Sequence, residues 1–432
     1  MTFIFYKKIF IYKIMLSFLK KIIPERSILR TGYSLSKALL ARLKHGNQSQ
    51  HLRVIGITGT DGKTSSCHFT AHLLELLGEK VAMASTEEIW MNGEKKENST
   101  KRTTLSPMFL QTFLKEAREK NVTTVVLEVS SHAITQQRIY GIDFDGAAIT
   151  NISQEHGNYH TDMKEYAETK AELFKLVRKS SKDKKILLTN KDMGEFFELF
   201  SKILPEAVQT YSLESHADIL AKNIEYTSES SHFQVNNTDM TLNIPGSYNI
   251  ENILISIGFA QFFGYNMIEI QKQLPHITPV LGRLEKIDTP TDYEVFVDFA
   301  VTPGALEKVL TSLKSVCTGK TWLVFGCTGG NHDQEKRPLM GNIATTYADH
   351  VVMTEDETYG EDNDLIFKDI LTGVTRKNYT IIEDRKDAIF YALEHAEKND
   401  MIIVTGMGNF SSRNNGVAEI PWNDKEVILS YF

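Results

Sequence analysis

Three features of the sequence predict an α/β protein. Short apolar runs alternate with amphipathic stretches along most of the chain. A glycine-rich turn joins the first of these runs to the first helical stretch. A second alternation starts after a proline-bracketed break at Pro275–Gly282. Apolar strands alternating with helices imply mainly parallel sheets covered on both faces. A chain of 432 residues is long enough for about two or three domains.

In chain order, Leu52–Ile57 is the first predicted strand and Ser65–Leu77 the helix that follows its turn. Lys80–Ala84, Val122–Val129 and Gly146–Thr150 are further strands, with helices over Pro107–Lys120 and Met163–Arg178. Lys185–Thr189 and Thr210–Tyr211 extend the pattern. Ile219–Leu242 alternates and is rich in Ser, Asn and Thr, which reads as antiparallel strands on an edge. Gly246–Phe263 is helical. Beyond the break, strands are expected at Glu294–Val297, Thr321–Phe325, His350–Thr354, Tyr379–Ile382 and Met401–Val404. Helices are expected at Pro303–Ser315, Lys336–Tyr347, Arg385–Glu397 and Asp424–Tyr431. The expected organisation is a basic apolar segment (1–51), a central P-loop-type sheet domain (52–282) and a smaller Rossmann-like domain (283–432).

The turn reads Gly59-Thr60-Asp61-Gly62-Lys63-Thr64-Ser65. A strand, a glycine-rich turn and Lys-Thr opening a helix make a phosphate cradle. The glycines admit backbone N–H groups to the phosphates, and the helix N-terminus favours their charge. Lys63 reaches the terminal phosphates of ATP, and Thr64 offers an oxygen to Mg²⁺. The generic motif places a glycine where this chain has Ile57, so the spacing is a shorter variant. Other chemically loaded stretches follow predicted strands: Glu128 to His132, Thr150 to His156, Asp298 to Ala300, Gly326 to Gly330 and Gly406 to Gly408. Ligands bind at the carboxyl ends of such strands, so two sheets with loaded loops suggest a cleft that closes on ATP and a substrate.

Composition excludes several classes. A net charge of −7 argues against non-specific nucleic-acid binding. Cys67, Cys317 and Cys327 are far apart and form no CxxC pair. That indicates neither a disulfide framework nor a zinc cluster and suits a reducing cytoplasm. Residues 1–53 carry seven Lys and four Arg against one acid, Glu25. Phe3–Leu19 is apolar and aromatic, but Lys7, Lys8 and Lys13 interrupt it, so no bilayer-spanning run exists. No small-residue cleavage site follows, which argues against a signal peptide. Two readings fit residues 1–20: a basic amphipathic helix on a membrane surface, or a leader packed on the body, with Met15 as an alternative start. The second is preferred.

The loaded stretches, taken together, resemble the Mur ligase family, and most of all its MurE-type UDP-N-acetylmuramoyl-tripeptide synthetases. The similar segments run in order: GTDGKTSS from Gly59, RTT from Arg102, EVSSHAITQQR from Glu128, TNISQEHGNYH from Thr150, YAETKAELF from Tyr166, GSYNIENI from Gly246, LGRLEKI from Leu281, VDFAVTPGALEKVL from Val297, VFGCTGGNHDQEKRPLMG from Val324 and IPWNDKEV from Ile420. The resemblance implies an ATP-dependent, Mg²⁺-requiring acid–amino acid ligase. In that chemistry ATP converts a carboxylate to an acyl phosphate, which an amine then attacks. The small-molecule substrates implied are a UDP-muramoyl peptide and an amino acid, in peptidoglycan precursor synthesis.

The resemblance also implies roles. Lys63 and Thr64 hold the γ-phosphate and the first Mg²⁺, with Glu128 and His156 as metal-binding acid and histidine. Lys170 matches the lysine that becomes a carbamate, which needs a depressed amine pKa. Asn249 falls in the adenine-contacting segment, and Arg283 and Asp298 approach ATP on closure. Thr103, Thr104, Ser130, Gln136 and Arg138 match positions that hold the acid substrate, and Arg138 suits a carboxylate or phosphate. His332 and Gly406 fall in the amino-acid pocket.

Three departures are expected to matter. About fifty residues precede the loop, too few for the family's uridine-binding first domain. Glu155 stands for the aspartate before the metal histidine, and Gly157-Asn158-Tyr159-His160 replaces Leu-Asp-Tyr-His. In the acceptor pocket, His332 replaces an arginine, Asp356-Glu357-Thr358-Tyr359 replaces the diaminopimelate-type Asp-Asn-Pro-Arg, and Phe410 replaces a glutamate. Losing a bidentate arginine removes about 1.5–3 kcal/mol of contact with a carboxylate, which disfavours meso-diaminopimelate and leaves lysine or another amino acid. The alternatives are a Mur-type ligase on another acid (folylpolyglutamate-synthase-like or lipid II-modifying) and a non-catalytic ATP-binding cell-wall partner.

Overall fold

A computed structural model of the chain describes residues 28–100, 102–153, 162–330 and 334–432. In chain order its helices are α1 (Ile28–His45), α2 (Lys63–Leu76), α3 (Pro107–Glu119), α4 (Ser131–Thr135), α5 (Met163–Lys179), α6 (Phe197–Ser201), α7 (Ser247–Phe262), α8 (Met267–Gln273), α9 (Pro303–Val316), α10 (Lys336–Tyr347), α11 (Asn363–Leu371), α12 (Arg385–His395) and α13 (Asp424–Leu429). The first sheet uses β1 (Arg53–Thr58), β2 (Val81–Ala84), β3 (Glu88–Met91), β4 (Glu94–Glu97), β5 (Thr124–Glu128), β6 (Gly146–Ile149), β7 (Ile186–Asn190), β8 (Val208–Ser212), β9 (Ile219–Tyr226), β10 (Ser231–Val235) and β11 (Thr238–Leu242).

These strands lie in the order β11-β10-β9-β8-β7-β6-β1-β5-β2-β3-β4. From β2 to β9 the pairings are parallel, and both edges are antiparallel hairpins. Strand β1 is apolar on both sides because both sides are covered. Ile55 and Ile57 face a core shared with Phe69 and Leu73 of α2 and Ile253 and Ile257 of α7. Val54 faces the other core, with Leu110 and Leu114 of α3 and Leu173 and Phe174 of α5. Gly56 leaves no room to spare: a Cβ there would sit 3.1 Å from both Leu173 and Phe144.

The second sheet contains β12 (Glu285–Ile287), β13 (Glu294–Asp298), β14 (Thr321–Phe325), β15 (His350–Met353), β16 (Tyr379–Ile381) and β17 (Met401–Thr405), in the order β12-β13-β17-β14-β15-β16. All its pairings are parallel except β12–β13. A small hairpin, β18 (Ser412–Asn414) and β19 (Glu419–Pro421), follows it.

The alternation of strands and helices was readable in the sequence. The hairpin β3–β4, helices α1 and α11 and strand β12 were not among the expected elements. The hairpin turns on Asn92-Gly93, both with positive φ (52° and 88°), the pairing that two-residue hairpin loops favour.

The chain between the two sheets is tied at both ends. On the first side, His72 Nδ1 accepts a bond from the Thr278 N–H at 3.2 Å, and His68 Nε2 lies 3.3 Å from Thr278 Oγ1. Burial, with Lys95 nearby, pushes the His72 pKa down to about 4, so the ring is neutral and free to accept. On the second side, Gly282 has φ +67°, and a Cβ there would lie 2.2 Å from the Asn409 nitrogen.

Candidate active site

The register of β1 with β5 and β6 sets Ile57 beside Glu128 and Ala148. The turn after β1, the end of β5 and the segment after β6 therefore share one edge. That edge borders a cleft of about 540 Å³ whose opposite wall comes from the second sheet's domain.

Gly62 caps α2 in the left-handed region, at φ +79°. Its Cβ would sit 2.3 Å from Asn252 Oδ1, and a Cβ on Gly59 would sit 1.7 Å from Thr150 Oγ1. Both positions exclude a side chain, and the first turn of α2 opens into the cleft through Lys63, Thr64 and Ser65. The Lys63 ammonium folds back to the Thr60 carbonyl at 2.5 Å. Thr64 Oγ1 donates to Glu128 at 3.1 Å, and the Thr86 N–H donates to the same carboxylate at 2.7 Å. Glu128 is 2% exposed.

Behind Glu128, Thr104 Oγ1 donates to the Glu128 carbonyl at 2.9 Å and accepts from the Ser130 N–H at 3.0 Å. Arg138 reaches across to the Thr104 carbonyl at 2.7 Å, and Gln136 Oε1 accepts from its Nη2 at 2.8 Å. Thr103, Ser130 and Arg138 line the cleft. Thr104 and Gln136 support them from behind.

Lys170, on α5, is 1% exposed yet lines the same cleft. Its Nζ donates to the Gly59 carbonyl at 2.6 Å and sits 4.2 Å from the centre of the Tyr166 ring.

The second domain contributes Asp298 at the end of β13. Burial pushes its pKa up to about 6, against the pull of Arg283, and its Oδ2 accepts from the Leu284 N–H at 2.6 Å. The Arg283 guanidinium lies 4.3 Å over the Phe299 ring and 3.5 Å from Glu87, whose carboxyl is itself shifted up by burial. Thr302 caps α9 and donates to Asp61 Oδ1 at 3.0 Å. The Asp61 carboxylate also accepts from Ser153 Oγ at 3.3 Å. A negative charge beside a phosphate loop is thus turned towards the other domain.

Most of the expected site residues meet in this one cleft. Asn249 does not line it. Its Nδ2 donates to the Pro245 carbonyl at 2.8 Å, and Tyr248, Glu251 and Asn252 of the same helix face the cavity instead. Gly406 lies against Asp356, where a Cβ would be 2.4 Å from Oδ2. His156 and His332 fall outside the described residues, as does Glu155.

Sequence reasoning missed Thr86, Tyr166, Asn252, Phe299, Thr302 and Lys308. Thr302 carried a usable signal, since Thr-Pro ahead of an apolar-periodic run marks a helix start. In the expected acceptor region, Tyr359 Oη donates to Glu357 Oε2 at 3.0 Å, and the Asn414 N–H donates to its other oxygen at 3.2 Å. Arg413 pairs with Glu355.

The two glycine-only positions and the open first turn of α2 fit a nucleotide's phosphates. Thr64 and Glu128 offer the hard oxygens that Mg²⁺ prefers. Among the described residues, no group of three His, Cys, Asp or Glu side chains stands close enough to hold a metal ion, and no helix is long and apolar enough to cross a membrane.

Residues 57–260 match the model of the Mur ligase middle domain, and residues 282–408 match that of the Mur ligase glutamate ligase domain. The UDP-N-acetylmuramoyl-L-alanyl-D-glutamate–2,6-diaminopimelate ligase of Caldanaerobacter subterraneus subsp. tengcongensis is 35% identical over 402 residues, which cover 91% of this chain and 81% of that one. A solved structure of a ligase with the same name superimposes with a TM-score of 0.62 at 30% identity, over 88% of this chain and 78% of that one. Mycobacterium tuberculosis folylpolyglutamate synthase complexed with ADP gives a TM-score of 0.71 at 17% identity, over 86% and 92% of the two chains, a likeness of fold alone.

Proposed function

The chain belongs to the Mur ligase family of ATP-dependent ligases, and we propose that it joins an amino acid to the carboxylate of a UDP-N-acetylmuramoyl peptide. The observation that carries this reading is the cleft itself. The phosphate loop, Glu128 and the Thr103–Ser130–Arg138 wall share one cavity, so an anionic acid would lie beside the phosphates that activate it. ATP supplies the phosphoryl group that turns the acid into an acyl phosphate, and the incoming amine displaces phosphate from it.

The residues divide this work. Lys63 leaves the Thr60 carbonyl to meet the terminal phosphates, and the N-terminus of α2 offsets their charge. Thr64 and Glu128 would hold Mg²⁺, joined by His156 and by Lys170 as its carbamate. The position of Lys170, buried in the wall of the cleft beside the phosphate loop, supports that role. Arg138, oriented by Gln136, clamps the acid substrate. Arg283 and Asp298 bring the second domain to the nucleotide, and aligning the two anions is where most of the rate is gained.

The two ligases named above for 2,6-diaminopimelate carry that amino acid in their names. In this chain the position of the diaminopimelate-clamping arginine is Tyr359, whose hydroxyl is already committed to Glu357. That supports lysine or another amino acid as the acceptor.

The test is amine-dependent phosphate release with a UDP-muramoyl dipeptide and a panel of amino acids, run on the native chain and on Lys170→Ala. The expected result is turnover with one or a few amino acids, poor turnover with diaminopimelate, and loss in Lys170→Ala that short carboxylic acids partly restore. Turnover only with other acids would move the substrate to a folate-like or lipid-linked one. ATP binding without amine-dependent turnover would sink the proposal.

A further inference from the structure

Helix α1 has two apolar faces. Ala38 and Ala41 are buried against the body, and His45 Nε2 lies 3.4 Å from Thr112 of α3. On the opposite face Tyr33, Leu39, Leu40 and Leu43 are exposed, Leu40 by 60% and Leu43 by 80%. At about 100° per residue these four fall within an arc of about 120°. Lys37 and Lys44, also exposed, run along one border of that arc. Single exposed leucines are ordinary, but a stripe of them with a basic border along one helix has the form of an interfacial helix.

Charge is the second observation. Residues 1–53 carry eleven basic groups against one acid, a charge of +10, in a chain whose net charge is −7. The remainder therefore carries −17, so an anionic surface repels most of the molecule and attracts this end. The stretch ahead of α1 repeats the pattern, with Lys7, Lys8 and Lys13 set among aromatic and aliphatic residues.

Position is the third. The Arg42 side chain lies against Gly141, where a Cβ would be 2.9 Å from Arg42 Cδ, three residues beyond Arg138. Met108 and Phe109, in the first turn of α3, are also exposed and follow closely on Thr103 and Thr104. Helix α1 thus packs on α3, the helix that follows Thr103 and Thr104 in the chain.

We propose that the outer face of α1 docks on an anionic lipid bilayer. The leucines enter at headgroup depth and the lysines meet lipid phosphates. On the function proposed above, this holds the ligase at the membrane surface. The docking itself does not depend on that function.

The test is co-sedimentation of the full chain with vesicles of phosphatidylcholine alone or with about one third phosphatidylglycerol. Binding is expected only to the anionic vesicles, and it should fall several-fold at about 0.5 M salt. Leu40→Glu with Leu43→Glu should cut the bound fraction about tenfold, leaving melting temperature and phosphate release unchanged. Lys37→Glu with Lys44→Glu, which leaves the leucines in place, should also weaken binding and decides the matter if the first variant folds poorly. No pelleting of the native chain with anionic vesicles overturns the proposal, as does equal pelleting of all variants. A dimer that the leucine variant dissociates, without vesicle binding, assigns the stripe to a second copy of the chain instead.

Discussion

Asp298 shows how one carboxyl can couple the cleft to pH. Its pKa is raised to about 6 by burial, above its ordinary value of about 3.8. A raised acid pKa means the folded state prefers the protonated form. The penalty is absent below about pH 4, grows as pH rises, and is complete above about pH 6. Asp298→Asn removes it while keeping an oxygen for the Leu284 N–H. The variant should be more stable than the native chain by on the order of 3 kcal/mol at pH 8 and close to it at pH 4. Urea titrations at the two pH values check this, and a gain that persists at pH 4 would contradict it.

At this scale the sequence was readable where a side chain's role depends on its neighbours in the chain. Lys63, Thr64 and the two glycines sit within one turn. Glu128 stood out at a strand end, but its role and that of Arg138 were reached only through a resemblance, because the register of β1 with β5 that places them is set by long-range packing. Asn249 was the natural choice in its segment, yet helical phase turns it inward and presents Asn252, three residues on, to the cleft.

Among the elements, α12 and α13 are joined by a buried ion pair. Arg385 and Asp424 are both fully buried, with Nε and Nη2 donating to the two carboxylate oxygens at 2.8 and 2.7 Å. Asp424 also accepts from Trp422 Nε1 at 2.8 Å. Asp424→Ala leaves a buried guanidinium without its main partner and should destabilise the second domain by about 3–5 kcal/mol. Trp422 fluorescence during urea unfolding reads that change, and a midpoint within error of the native chain would refute it. The elements that escaped prediction are short or half-exposed. Hairpin β3–β4 had its Asn-Gly turn in plain view, but the Glu-Lys-Lys-Glu of β4 carries no apolar alternation, because every residue of that edge strand faces solvent.

For the molecule as a whole, the contact between Asp61 and Thr302 matters most, since it joins the phosphate loop to the N-terminus of α9. Asp61→Asn keeps an acceptor for Thr302 and should keep kcat within about threefold, whereas Asp61→Ala should lower kcat about tenfold, the loss of about one hydrogen bond. Phosphate-release kinetics on both variants, with melting temperatures as a control, separate a domain-bridging role from a charge effect. Equal kcat for the two would count against the bridge.

The tethers on the connecting chain carry a mechanical consequence. Thr278 is bolted to α2 through His72 and His68, and Gly282 is wedged against the backbone of Gly408 and Asn409. Pivoting is left to the short stretch between them. Because α2 also begins at Lys63 and Thr64, the axle of the second domain is mounted on the same rod that starts at the glycine-rich loop. A push on the loop end of that rod therefore reaches the bearing directly, through about two and a half turns of helix.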